Sequence, residues 1–132
     1  MPARRRIDPQ QGAEALQAWQ GGARDRQTLA TAVRYALTEL AERTPGNSVE
    51  VRVPPYGVAQ CIPGPRHTRG TPPNIVETDA ETWLAMVIGL RSWRQSLDQG
   101  RITASGTRAD LSEWLPLWSP DSMGSRREAN ET

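Results

Sequence analysis

Residues 77–111, ETDAETWLAMVIGLRSWRQSLDQGRITASGTRADL, constrain the fold more than the rest of the chain together. Thr78-Asp79-Ala80-Glu81 fits a capping box, with the hydroxyl at the N-cap and Glu81 three positions inside. Trp83, Leu84, Met86, Val87 and Leu90 then give a wide apolar face, and Gly89 can take the positive φ that ends a helix. Ser92-Trp93-Arg94-Gln95 repeats the box with Gln. Trp93 and Leu97 stand four apart, on one face of a short helix stopped by Gly100. Arg101–Ser105 reads as a strand with Ile102 and Ala104 on one face. After Gly106, Thr107-Arg108-Ala109-Asp110 opens a last helix with Leu111, Trp114 and Leu115 inward, which Pro116 prevents from continuing.

Upstream, Asp8-Pro9-Gln10-Gln11 is a helix start: an acceptor at the cap, proline at the first position and Gln11 in a box-like place. Leu16 and Trp19 share a face, and Gly21-Gly22 stops the helix. A second start at Asp25 precedes Leu29, Val33, Ala36, Leu37 and Leu40, a stripe at helical spacing. This is the longest helix, about 26–43, ended by Pro45-Gly46-Asn47. The period then becomes two. Val49, Val51 and Val53 alternate with Ser48, Glu50 and Arg52, as in a half-buried strand. Pro54–Gly57 turns the chain, and Val58, Gln60 and Ile62 alternate with Ala59 and Cys61, so an antiparallel hairpin is predicted. Residues 63–73, PGPRHTRGTPP, hold four prolines and two glycines and form a loop. Residues 74–78 are a short third strand beside the hairpin. Residues 1–118 thus form one domain, and the polar, charged segment 119–132 is expected to be a disordered tail.

Composition sets the scale. With 132 residues, 36% hydrophobic content and a mean hydropathy of -0.64, the core is modest. Phe is absent, so five Trp carry most of the aromatic bulk. A net charge of +1 provides no overall field to select nucleic acid or anionic lipid. All sixteen basic residues are Arg, which reads as coding bias rather than guanidinium chemistry at every site. The single cysteine, Cys61, makes no internal disulfide and fits a cytoplasmic protein. Met1–Ile7 carries three arginines without an apolar stretch behind them, so no secretory signal is expected, and no window is long enough to span a membrane.

The order of capped helix, glycine stop, short helix, glycine stop, strand and glycine turn, carried by Thr78, Asp79, Leu84, Val87, Gly89, Leu97, Gly100, Ile102 and Gly106, resembles the sterol-carrier-protein family. The runs PARRRID, TLATAVRYAL, NSVEVRVPPYG, GPRHTRGTPPN and ETDAETWLA look like those of its compact actinobacterial "sterol carrier family" group. A similar segment ends some mycothiol-dependent isomerase proteins. The resemblance covers residues 2–118. It implies an α+β fold: a small, mostly antiparallel sheet of about four strands, packed on one face by several helices. A ligand would lie between sheet and helices. The strands before Thr78 are fewer and shorter than in the better-known carriers.

The predicted apolar ligand contacts are Trp83, Met86, Val87, Leu90, Trp93, Leu97 and Trp114, and the same residues also read as plain core. An empty pocket of roughly 300 Å³, at about 24 cal/mol per Å³, would cost on the order of 7 kcal/mol. A whole domain is stable by only about 5–15 kcal/mol. A shallow groove or a filled core is therefore favoured over a closed, sterol-sized void. Arg66, His67 and Arg69 form a candidate clamp for an anionic head group, since guanidinium forks bind carboxylates bidentately. The plainer reading pairs those arginines with surface carboxylates such as Glu50 or Glu77. One His and one Cys do not make a metal site. A Cys61–His67 nucleophile pair stands against the commoner role of a free cysteine as a small buried hydrophobe. No cofactor is implied, and no enzymatic role. The expected function is non-catalytic binding of a lipid-like, apolar or amphipathic small molecule. The alternative is a protein-interaction or accessory module with a filled core, exposing a patch around Trp114–Trp118 or forming a homodimer. Nucleic-acid binding and stable membrane insertion are not expected.

Overall fold

The computed structural model describes residues 7–64 and 74–119. Helix α1 spans Pro9–Gln20, and its Asp8 cap accepts from the Gln11 N–H at 3.4 Å. Helix α2 spans Arg26–Arg43, capped by Asp25, whose carboxylate accepts from the Thr28 N–H at 3.1 Å. Its predicted stripe faces inward at Val33, Ala36, Leu37 and Leu40, with Leu29 half-buried, and Ala32 joins the buried face. The two helices pack closely enough that the Gly12 backbone lies against the Tyr35 ring.

Strands β1 (Val49–Val53), β2 (Gly57–Cys61), β3 (Ile75–Thr78) and β4 (Ile102–Ser105) form one sheet in the order β2-β1-β3-β4. The β1–β2 and β3–β4 pairs are antiparallel, and β1–β3 is parallel. The α+β class and the mixed, mainly antiparallel sheet agree with the sequence reading. Register puts Val49, Val51, Val53, Cys61, Val76, Thr78 and Ile102 on the buried face. Glu50, Arg52 and Glu77 lie on the other face, where Arg52 meets Glu50 at 2.6 Å and Glu77 at 4.0 Å. These partly exposed pairs contribute little to stability.

Helix α3 (Ala80–Val87) and helix α4 (Trp93–Asp98) connect β3 to β4. The Ser92–Gln95 capping box forms in both directions, each bond 2.9 Å long. Gly89 and Gly100 take φ of 81° and 73° at the predicted stops. Trp19 ties α1 to α3: its indole N–H donates to Glu81 at 3.2 Å, and Arg24 pairs with the same carboxylate at 2.6 Å while lying over the Trp19 ring.

Four local expectations are corrected. The N-cap of α3 is Asp79, which accepts from the Thr82 N–H at 2.8 Å. Thr78 instead belongs to β3, with its hydroxyl donating to the Arg101 carbonyl, and Glu81 faces Trp19 rather than closing a box. Strand β2 starts and ends one residue earlier than predicted and turns Val58 and Gln60 outward, because Ile62 leaves the strand at φ 73°. Leu90 is 55% exposed, since α3 ends at Val87 and Gly89 redirects the chain. No helix forms in residues 107–119: the Asp110 carboxylate accepts from the Ser112 N–H at 2.8 Å, and residues 112–114 make only a turn.

Candidate functional site

The predicted apolar contacts divide into four groups. Trp83 and Val87 lie fully inside the core, in the same cluster as the equally closed Val51, Val53 and Val76 of the sheet. The layer-to-layer seam is shut to solvent at these positions. The Trp83 indole N–H is buried there without an acceptor among the described residues, a state that costs roughly 1–3 kcal/mol. Leu97 and Trp114 are half-buried and pack on the core edge. Leu90 stands outside it.

Met86 and Trp93, exposed by only 1% and 7%, are brought together at the floor of an open cleft of about 360 Å³ bordered by the end of α3 and the start of α4. Its opposite wall is Ser112, Leu115 and Pro116. Arg91, Arg94, Gln95, Ser92 and Gly89 complete the lining. Sequence reasoning missed Arg91, Arg94, Ser112, Leu115 and Pro116 as site residues. The pattern Arg91-Ser92-Trp93-Arg94, two cations around one inward indole, was the available signal.

The wall belongs to a strap, residues 107–119, held against α2 and α3. Ala109, Leu111 and Leu117 are buried along it. The Leu117 and Trp118 N–H groups both donate to the Val87 carbonyl at 2.9 Å. Arg43 donates to the Leu117 carbonyl at 2.7 Å and lies 5.5 Å from the centre of the Trp118 ring. That indole stacks on Tyr35 with centroids 5.3 Å apart and planes 13° from parallel. Trp118, expected from sequence to belong to an exposed patch, is thus half-buried.

Charge in the cleft is one-sided. Arg91 donates to the neutral amide of Gln99. Arg94 meets Asp98 only at 3.9 Å, with both side chains well exposed. Hydrogen bonds from Ser112 hold the Asp110 carboxyl below its ordinary pKa, with a smaller contribution from Arg94. A second, smaller cleft of about 170 Å³ has the opposite character: Asp8, Glu39 and Glu42 line it with Ile7, Pro9, Tyr35 and Thr38.

Cys61 is buried, and desolvation pushes its thiol up to about 11 against an opposing hydrogen bond with Thr44. It is a protonated core side chain at neutral pH, not an activated nucleophile. Arg66, His67 and Arg69 fall outside the described residues. Among the described residues no group of three or more His, Cys, Asp or Glu is placed to hold a metal ion, and no helix is long and apolar enough to cross a membrane.

An open sheet with one helix-covered face, a buried core and an apolar-floored cleft define a small α+β domain. Residues 25–117 match the model of the bacterial SCP ortholog family, and the chain belongs to that family. No curated protein matches the chain. Membership points in general terms to lipid binding and to a domain type that is generally a non-catalytic carrier.

Proposed function

We propose that this protein is a non-catalytic binding protein for an apolar or amphipathic small molecule of lipid, fatty-acyl or sterol-like kind. The observation that carries this reading is the open cleft over Met86 and Trp93, about 360 Å³ in volume, within the roughly 300–1,000 Å³ of small-molecule sites. An open cleft avoids the cost of an empty closed void, so it is compatible with a core this small. A ligand settling on Trp93 would change the polarity around that indole. Titration with fatty acids, acyl thioesters and a sterol, followed by tryptophan emission and native mass spectrometry, should give a saturable, one-to-one complex with at least one class. Flat emission and apo masses across the whole panel would refute the reading.

A second reading, a protein-interaction or accessory module, draws on the closed seam and on two large apolar side chains left in solvent, Val58 at 58% and Leu90 at 55% exposure. Sedimentation separates the two. Concentration-dependent self-association, together with an unresponsive lipid panel, is the result this module would give.

A further inference from the structure

Resting on that reading of the cleft, we infer that it takes a single-chain amphipath with an anionic head, bound outside the sheet–helix seam. The lining contains two guanidinium groups and no carboxylate. In a chain of net charge +1 this is a local concentration of positive charge, and the 170 Å³ cleft, with three carboxylates and no cation in its lining, shows the contrast. Arg91 donates to the neutral Gln99 amide. The Arg94–Asp98 contact is long and exposed, and Asp110, the other carboxylate near Arg94, is engaged by Ser112. A guanidinium carries five N–H donors, so both arginines retain donors for a bidentate head group.

The apolar half of the ligand has a matching floor. Met86 and Trp93 are buried in the base, and Leu115 and Pro116 supply the facing wall. That wall is set before any ligand arrives, because Leu111 on one side and Leu117 on the other are buried and Leu117 is bonded to Val87. A volume of about 360 Å³ lies near the lower end of ligand sites, which favours one acyl chain over a diacyl or fused-ring body. Charged rim and apolar floor together select a molecule that has both parts.

The test uses four probes on the full chain by calorimetry and tryptophan emission: decanoate, decanol, decyltrimethylammonium and inorganic phosphate. Decanoate is expected to bind roughly tenfold more tightly than decanol, the scale of a charge-assisted hydrogen bond. The cationic probe and phosphate alone should not saturate. Arg91→Gln with Arg94→Gln should bring decanoate down to the decanol level. The emission response should vanish in Trp93→Phe and persist in Trp118→Phe, with urea midpoints confirming that each variant is folded. Equal affinity for decanoate and decanol, or an arginine double variant without effect, would overturn the anionic assignment while leaving the general binding role intact. Phosphate competing as well as decanoate would overturn the amphipath. A response kept in Trp93→Phe would remove the site from this cleft. Silence from all four probes and from the wider lipid panel would sink both proposals together.

Discussion

Gly12 sits in the interior of α1, where alanine ordinarily stabilises a helix by about 0.8–1 kcal/mol over glycine. Here the sign should reverse. A Cβ at Gly12 would lie 2.2 Å from Tyr35 Cγ and 2.4 and 2.6 Å from its two Cδ atoms. Carbon atoms pack at about 3.5–4.0 Å, so the ring would have to retreat by more than about one ångström. It cannot retreat freely, because the Trp118 indole is stacked with it at 5.3 Å. Overpacking of this kind costs roughly 1–3 kcal/mol, and a disturbed aromatic stack adds about 0.5–1.5 kcal/mol. Set against the propensity gain, Gly12→Ala should destabilise by about 1–3 kcal/mol, read as a lower urea midpoint at unchanged slope. The double-mutant cycle is the sharper measurement. In a Tyr35→Ala background the obstacle is gone, and the same Gly12→Ala change should stabilise by about 0.5–1 kcal/mol. A Gly12→Ala protein that is more stable than the parent with Tyr35 intact would refute this packing of α1 on α2.

Gly46→Ala should lower stability by more than about 2 kcal/mol, because its Cβ would fall 2.2 Å from the Ile62 carbonyl oxygen, a backbone atom that cannot swing aside, at φ 152°. Gly22→Ala, at φ 115° with open space around it, is the control and should cost only about 1 kcal/mol; equal urea midpoints for the two variants would contradict the account. Cys61 should resist thiol reagents at pH 7.5 in the folded protein and react at full rate in urea. Its folded value of about 11 lies above the ordinary thiol value of 9.0, so its contribution is complete below about pH 9 and is lost as pH rises toward 11. The stability difference between the parent and Cys61→Ala should shift in the parent's disfavour over that window, and a flat difference would contradict the burial. Trp118→Ala removes both the Tyr35 stack and the Arg43 contact, at a cost of about 2–4 kcal/mol. Amide exchange should speed up at Leu117 and residue 118 before it does in α2; uniform change across the domain would argue against a separately held strap.

The elements legible in the sequence are those whose determinants are local. Asp8-Pro9 and Asp25 announce α1 and α2, the stripe from Leu29 to Leu40 gives the buried face of α2, and Ser92–Gln95 closes its box within one turn. The misread boundaries were decided by distant partners. Thr78 and Asp79 are both capable caps; the Arg101 carbonyl takes the Thr78 hydroxyl and leaves the cap to Asp79. Alternation cannot foresee a β-branched residue at positive φ. Ile62 is held there by its N–H donating to the Thr44 carbonyl at 2.5 Å and by Ser48, whose N–H and hydroxyl both donate to the Ile62 carbonyl. Thr107–Asp110 has a helix-start pattern, but the downstream backbone finds partners elsewhere, at Val87 and Arg43.

The candidate site was half legible for the same reason. An apolar stripe names the residues that avoid water but not the layer against which they do so. Trp83 and Trp93 carry the same side chain ten positions apart; one closes the core, and the other floors a cleft whose facing wall comes from residues 112–116. Net charge was still less informative. A total of +1 averages over places of opposite character, among them a cleft bordered by Arg91 and Arg94, another bordered by Asp8, Glu39 and Glu42, and a sheet face where Arg52 meets Glu50 and Glu77. Exposed charges act over about one Debye length, roughly 8 Å at physiological salt, so a bound head group responds to the arginines beside it and not to the sum. Near-neutrality therefore excludes long-range steering of anions and leaves short-range selection of one anionic group fully available.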